Sequence, residues 1–143
     1  MGTPSSSSSP AEWGAKQFIL ASLEKLRDEH PQVYERLCAS LAPRTLLLTI
    51  DGEPVRLRFE AQRHINPDRL PEASVHLETT RETILAVIDA HYSLEGAVEA
   101  GLIELTGATE DLSAFHDGLL LYVRGAVRCP SFPSLLERYR RGS

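Results

Sequence analysis

The sequence predicts an α+β fold, with one mostly antiparallel sheet of four to five strands covered on one face by about five helices. Three observations carry that reading. Strand-like and helix-like stretches fall in separate blocks instead of alternating, the pattern of a sheet with its helices on one side. Residues 54–60, PVRLRFE, alternate apolar and polar without a break, so one sheet face is buried and the other wet. Residues 94–123, LEGAVEAGLIELTGATEDLSAFHDGLLLYV, set a short apolar run between Gly101 and Gly107 and follow it with a long apolar helix.

Each element has a local cause. Residues 1–10, MGTPSSSSSP, lack apolar periodicity and are expected to be a disordered lead-in. They have neither the basic nor the apolar region of a signal peptide. Residues 11–30 place Ile19, Leu23 and Leu26 on one helical stripe, with Phe18 and Trp13 beside it. Pro31 ends that helix and opens a second, whose apolar face is Val33, Tyr34, Leu37, Cys38 and Leu41. This helical pair is expected to form a lid-like layer. Residues 44–50 and 54–60 flank Asp51-Gly52, a hairpin signal, and residues 74–79 alternate again. Thr79 as N-cap with Glu82 three residues on reads as a capping box opening the next helix. Residues 94–100 form a short helix stopped by Gly101, residues 102–106 a strand, and Thr109 is expected to cap the long helix over 112–127. The end of the chain, CPSFPSLLERYRR, is two prolines followed by a turn or two of helix. Residues 11–143 are expected to be a single domain, with 129–143 a C-terminal extension.

Composition excludes several function classes. Fifteen Lys and Arg stand against twenty Asp and Glu, a formal net charge of −5, which argues against nucleic acid as a partner. Arg124, Arg128, Arg138, Arg140 and Arg141 nevertheless crowd the C-terminal end, opposed by Asp117 and Glu137; they read first as a solvated basic tail and second as a weak attraction to anionic lipid headgroups, so at most transient membrane-surface contact is expected. The apolar runs LLLTI and GLLLYV fall far short of the roughly 18 residues a membrane span requires. Two isolated cysteines, Cys38 and Cys129, give no disulfide framework, so a cytoplasmic location is expected. Cys38 reads as a buried thiol and Cys129 as the more exposed one.

Catalytic signals are missing. His116-Asp117 resembles a metal-ligand pair, but His64, His76 and His91 have no helical spacing to it, so no metal and no cofactor are expected. No GxSxG elbow is present. Glu99, Glu104, Glu110 and Asp111 form no evident acid–base pair. The protein is therefore expected not to be an enzyme. A cyclase or isomerase would need a polar pair inside the apolar interior, with Tyr122 and His91 as its members.

The stretches ASVHLETTRETILAVIDA and LEGAVEAGLIELTGATEDLSAFHDGLLL give the order strand, capped helix, short helix, glycine, strand, glycine, long apolar helix. That order resembles the sterol carrier protein 2 family, over residues 11–127 and most specifically over about fifty of them. The resemblance implies a hydrophobic tunnel between sheet and helices that binds or transfers a fatty acyl, sterol-like or other lipid ligand without catalysis. It also places Val55, Leu57 and Phe59 of the sheet beneath Leu85, Ile88, Phe115, Leu119 and Tyr122 of the helices, as lipid-binding residues. Phe132 and Leu136, with Leu135 and Tyr139, either close the tunnel mouth or complete the core. The chain departs from the family in having one methionine where leucine dominates, in lacking a small-basic-Leu ending, and in the added segment RCPSFPSLLERYRR. The alternative function is a protein-interaction or regulatory module with the same fold and a collapsed pocket. A monomer or a homodimer fits either.

Overall fold

A computed structural model describes residues 14–69 and 72–141. The expected lead-in at 1–10, and the packing expected of Trp13, lie outside the described residues. The chain runs α1 (Ala15–Glu29), α2 (Pro31–Leu41), β1 (Thr45–Ile50), β2 (Glu53–Glu60), β3 (Arg63–Ile65), β4 (Val75–Thr79), α3 (Arg81–Ile88), α4 (Leu94–Glu99), β5 (Glu104–Gly107), α5 (Thr109–Ala126) and α6 (Phe132–Arg141). The strands form one five-stranded sheet in the order β3-β2-β1-β4-β5. The α+β class and the mostly antiparallel sheet are as the sequence predicts.

The hairpin follows from its turn. Asp51 and Gly52 both have positive φ, 54° and 82°, and this left-handed pair lets Ile50 face Glu53 directly. One pair within the sheet is parallel. β4 runs parallel to β1, with Leu46 opposite Val75 and Leu48 opposite Leu77. The stretch between β3 and β4 is long enough to return to the starting end of β1, so no tight reversal forces an antiparallel pair. β3, only three residues long, carried no alternation that a reader of the sequence would notice.

Two helix starts shift by one residue. The N-cap of α3 is Thr80, whose hydroxyl accepts from the Thr83 backbone N–H at 3.1 Å, and not Thr79. Thr79 stays in β4 because its own hydroxyl donates to the Leu102 carbonyl at 2.9 Å. At α5 the cap position is Ala108, without a side-chain hydrogen bond, and Thr109 is already helical. Gly101, with φ 79°, does end the short helix before it.

The period-2 pattern sorts the sheet cleanly. Leu46, Leu48 and Ile50, Val55, Leu57 and Phe59, Val75, Leu77 and Thr79 all face the helices. Arg58, His76, Glu78 and Glu104 face outward and are exposed. α1 and α2 pack on β2, and α2 also packs along α5. This pair is not a lid: Phe18, Leu23, Leu26, Tyr34, Leu37, Cys38 and Leu41 are all buried in the core. They carry too much apolar area to sit as a loose cover.

The α2–α5 contact is close because Gly118 and Gly125 present no side chain. A Cβ at Gly118 would stand 2.7 Å from Leu41 Cγ, and one at Gly125 would stand 2.6 Å from Leu26 and 2.8 Å from Val33. α6 lies against α1, where the Tyr139 ring stacks on Phe18 at 4.4 Å and Phe132 approaches the same ring at 6.0 Å. Phe132 and Tyr139 are buried, so the C-terminal segment completes the core. At the opposite edge, the Tyr34 hydroxyl accepts from the His64 backbone N–H at 3.0 Å and lies 2.7 Å from its Nδ1, tying α2 to β3.

Two predictions follow from these joints. Gly125→Ala gains helix propensity but crowds two core side chains, so the net effect should be a loss of about 1 kcal/mol in urea denaturation. An unchanged or raised midpoint would show that the α1–α2–α5 junction has room to spare. Burial, then the Arg27 charge, holds the His64 imidazole below its ordinary value of 6.5. The unfolded chain therefore takes up a proton that the folded chain refuses, and stability falls as pH drops below about 6.5 until the folded value is passed. His64→Gln should flatten that part of the stability–pH profile.

Candidate functional site

The sheet's inner face is not evenly covered. Val55, Leu57 and Phe59 of β2 are buried, at 0, 2 and 2% exposure, under α1 and α2. Leu46 and Ile50 at the ends of the central strand β1 are buried too. Leu48, between them and on the same face, is only half-buried. Leu77 lies beside Leu48 in register, and Leu105 beside Leu77, and both are also half-buried. A row of three leucines across the sheet thus faces inward without full cover.

The helices on that side carry matching half-buried residues. Ile84, Leu85 and Ile88 come from α3, Leu112, Leu119 and Tyr122 from α5, and Leu135 and Leu136 from α6. α3 packs chiefly on α4, while α5 reaches β4 and β5. α6 is strapped to α3, because Arg140 clasps Asp89 with both guanidinium nitrogens, one of them at 3.0 Å. That hydrogen bond, outweighing the cost of burial, holds the Asp89 carboxyl below the usual carboxylate range. Arg81 at the start of α3 lies 5.7 Å over the Tyr139 ring of α6. The row is thus flanked by half-buried residues of α3, α5 and α6, most of them packed against the core.

Of the lipid-binding residues expected from the sequence, the structure divides the set in half. Leu85, Ile88, Leu119, Tyr122 and Leu136 are half-buried, and all but Ile88 pack against the core cluster. Val55, Leu57, Phe59, Phe115 and Phe132 belong to the closed core. Sequence reasoning passed over the row itself. Leu77 stood in a recognised alternation, and only its register against Leu48 and Leu105 singles it out.

Polar groups inside this region are few and hold their protons. The Tyr122 hydroxyl meets Ser22 Oγ at 2.5 Å, and Ser22 in turn donates to the Ile19 carbonyl at 2.8 Å. Burial pushes the Tyr122 phenol up to about 12. Tyr139 is 1% exposed, and among the described residues its hydroxyl has no hydrogen-bond partner. Burial raises that phenol as well, against the pull of Arg81 and with a further push from Asp51 and Glu53. His91 is exposed and forms no pair with Tyr122.

The remaining candidates serve structure. His116 Nε2 lies 3.1 Å from Glu95, joining α4 to α5. Among the described residues no three potential metal ligands come together. Cys129 is buried at 3% exposure, not open as expected, because the turn after α5 folds its thiol towards the Lys25 carbonyl of α1. Burial raises both cysteine thiols. A separate open hollow of about 440 Å³ is lined by Glu72, Ser74, His76, Thr106 and Asp111, a polar set unsuited to an acyl chain. Among the described residues no helix is long and apolar enough to cross a membrane.

No protein-family model and no curated protein matches the chain. Solved structures do. A UbiJ-SCP2 ubiquinone synthesis protein superposes with a TM-score of 0.61 at 14% identity, covering 78% of this chain and 91% of that one. The sterol carrier protein 2 of Yarrowia lipolytica, in its apo form, gives 0.51 at 10% identity over 79% of this chain and 92% of its own. The sterol carrier protein domain 2 of Helicoverpa armigera gives 0.51 at 13%, over 78% and 90%. At such identities the likeness is one of architecture: the fold of this chain is similar to that of sterol carrier protein 2.

Proposed function

We propose that the protein binds a lipid in the cleft between sheet and helices and carries it without chemical change. The observation that supports this best is the row Leu48, Leu77 and Leu105, which packs against the core yet stays only half-buried on the inner sheet face. A fatty acyl, sterol-like or other lipid laid over that row would complete its burial. Fully burying a leucine is worth about 1.5–3 kcal/mol, so completing three of them is a sizeable driving force. The fold-level likeness to sterol carrier proteins points the same way. A carrier rather than a catalyst suits an interior whose hydroxyls stay protonated and whose expected partner, His91, sits outside. The reading includes a cytoplasmic site of action with only transient contact with membrane surfaces.

One observation favours a second reading. Leu120 and Val123 of α5 and Val127 at its C-cap, at 37, 40 and 62% exposure, form an outward apolar stripe at helical spacing. Such a stripe suits docking of a protein partner or a second copy, the interaction-module alternative.

Binding to the folded state alone stabilises it by mass action, about 2.7 kcal/mol at a hundredfold excess over Kd. Long-chain lipid should therefore raise the thermal midpoint by several degrees, and native mass spectrometry of protein from cells should show a co-purified lipid. Leu77→Trp should fill the cleft and weaken binding of a fluorescent lipid by roughly tenfold or more while sparing stability. If that variant instead loses about 1–3 kcal/mol of stability, the row is packed core and the carrier reading fails.

A further inference from the structure

A helix packed by one face is expected to be polar on the other. α5 departs from this over its last two turns and just beyond. Leu120, Val123 and Val127 stand in solvent there, and Val127 is the most exposed large apolar side chain among the described residues. Arg124 and Arg128 are exposed beside them. At about 100° per residue, these five side chains share an arc of roughly 140°. The arc lies opposite Gly118 and Gly125, whose missing side chains let α1 and α2 close in. Elsewhere guanidiniums sit on carboxylates: Arg44 on Asp111 at 2.8 Å, Arg63 on Glu60 at 3.3 Å, and Arg140 on Asp89. Among the described residues the side chains of Arg124 and Arg128 meet no carboxylate. Two acids near the ends of the stripe are engaged elsewhere. Asp117, a turn before Leu120, lies 3.9 Å from His116 Nδ1. Glu29, beside the turn after Arg128, accepts from the Ser131 backbone N–H at 3.2 Å and from its hydroxyl.

We propose that this outer face, from Leu120 to Arg128, is a docking surface for an anionic lipid bilayer. The three apolar side chains enter the boundary between head groups and acyl chains, and the two guanidiniums reach phosphate and carboxylate oxygens beside them. Charge complementarity selects this occupant. The chain carries a net charge of −5, so an anionic surface attracts it only where arginines stand locally unopposed, as they do here. A second copy of the chain fits worse. Twofold pairing sets a patch against itself, and centred on this stripe it brings one Arg124 against the other. Three side chains of leucine and valine size also fall well short, by themselves, of the roughly 800 Å² per partner that a stable protein interface buries. They supply no aromatic anchor either. The face lies outside the interior between sheet and helices, so it goes beyond the carrier reading and does not depend on it.

The test is flotation of the full chain with vesicles of phosphatidylcholine alone and of phosphatidylcholine mixed equally with phosphatidylserine. The protein should float with the mixed vesicles, stay behind with phosphatidylcholine, and dissociate as salt is raised. Arg124→Gln with Arg128→Gln should weaken binding to the mixed vesicles by about tenfold or more. Arg36→Gln with Arg56→Gln, an equal loss of charge on α2 and β2, should change it by less than about threefold. Val127→Ser should weaken it several-fold without lowering the melting temperature, since that side chain is mostly in water. The proposal is overturned if the protein ignores the mixed vesicles, if phosphatidylcholine alone binds as well, or if the two arginine pairs act alike. A wild-type dimer in sedimentation that Val127→Ser turns into a monomer overturns it too, and makes the face an interface between copies. Loss of lipid binding in the cleft leaves these outcomes untouched, so the carrier reading and the docking face fail separately.

Discussion

A five-stranded sheet with one apolar face has to cover that face, and here the helices cover only part of it. β2 is sealed by α1 and α2, whose buried side chains make the densest part of the core. Beyond the midline the cover thins, and Leu48, Leu77 and Leu105 are left half-buried although all three point inward. An ordinary core of this size would close that space, because each unfilled contact forfeits dispersion energy as well as hydrophobic burial. The uncovered row is thus the feature from which the functional reading grows.

The helices beside this row are held by specific contacts. α5 cannot be shifted freely, since Gly118 and Gly125 let Leu41, Leu26 and Val33 press directly on its backbone. α3 is capped by Thr80 and held at its far end by the Asp89–Arg140 pair. α6 is fixed by the Phe18–Tyr139 stack.

The sequence was most legible where the cause was local. The unbroken alternation of residues 54–60 and the Asp51-Gly52 turn specify the hairpin within a dozen residues, and Gly101 ends its helix by its own backbone freedom. Legibility faded where partners are distant. Nothing near β4 says that it pairs in parallel with β1. Thr79 looked like a cap until its hydroxyl proved to be engaged by Leu102, 23 positions away. The ten expected lipid-binding residues split between buried and half-buried for the same reason. Their apolar character is visible in the chain, but whether a helix covers them is decided by packing. Tyr139 shows the limit most sharply, since the lack of a hydrogen-bond partner among the described residues cannot be read from any stretch of sequence.

The central claim is that the half-covered leucine row is the ligand chamber. Solution NMR of leucine, isoleucine and valine methyl groups during titration with a long-chain alcohol addresses it directly. The account predicts large shifts for Leu48, Leu77, Leu105, Leu85 and Leu119, with Leu26 and Leu37 in the closed core nearly unmoved. Shifts confined to Leu120, Val123 and Val127 on the outer face of α5, or no saturable shifts at all, would contradict it.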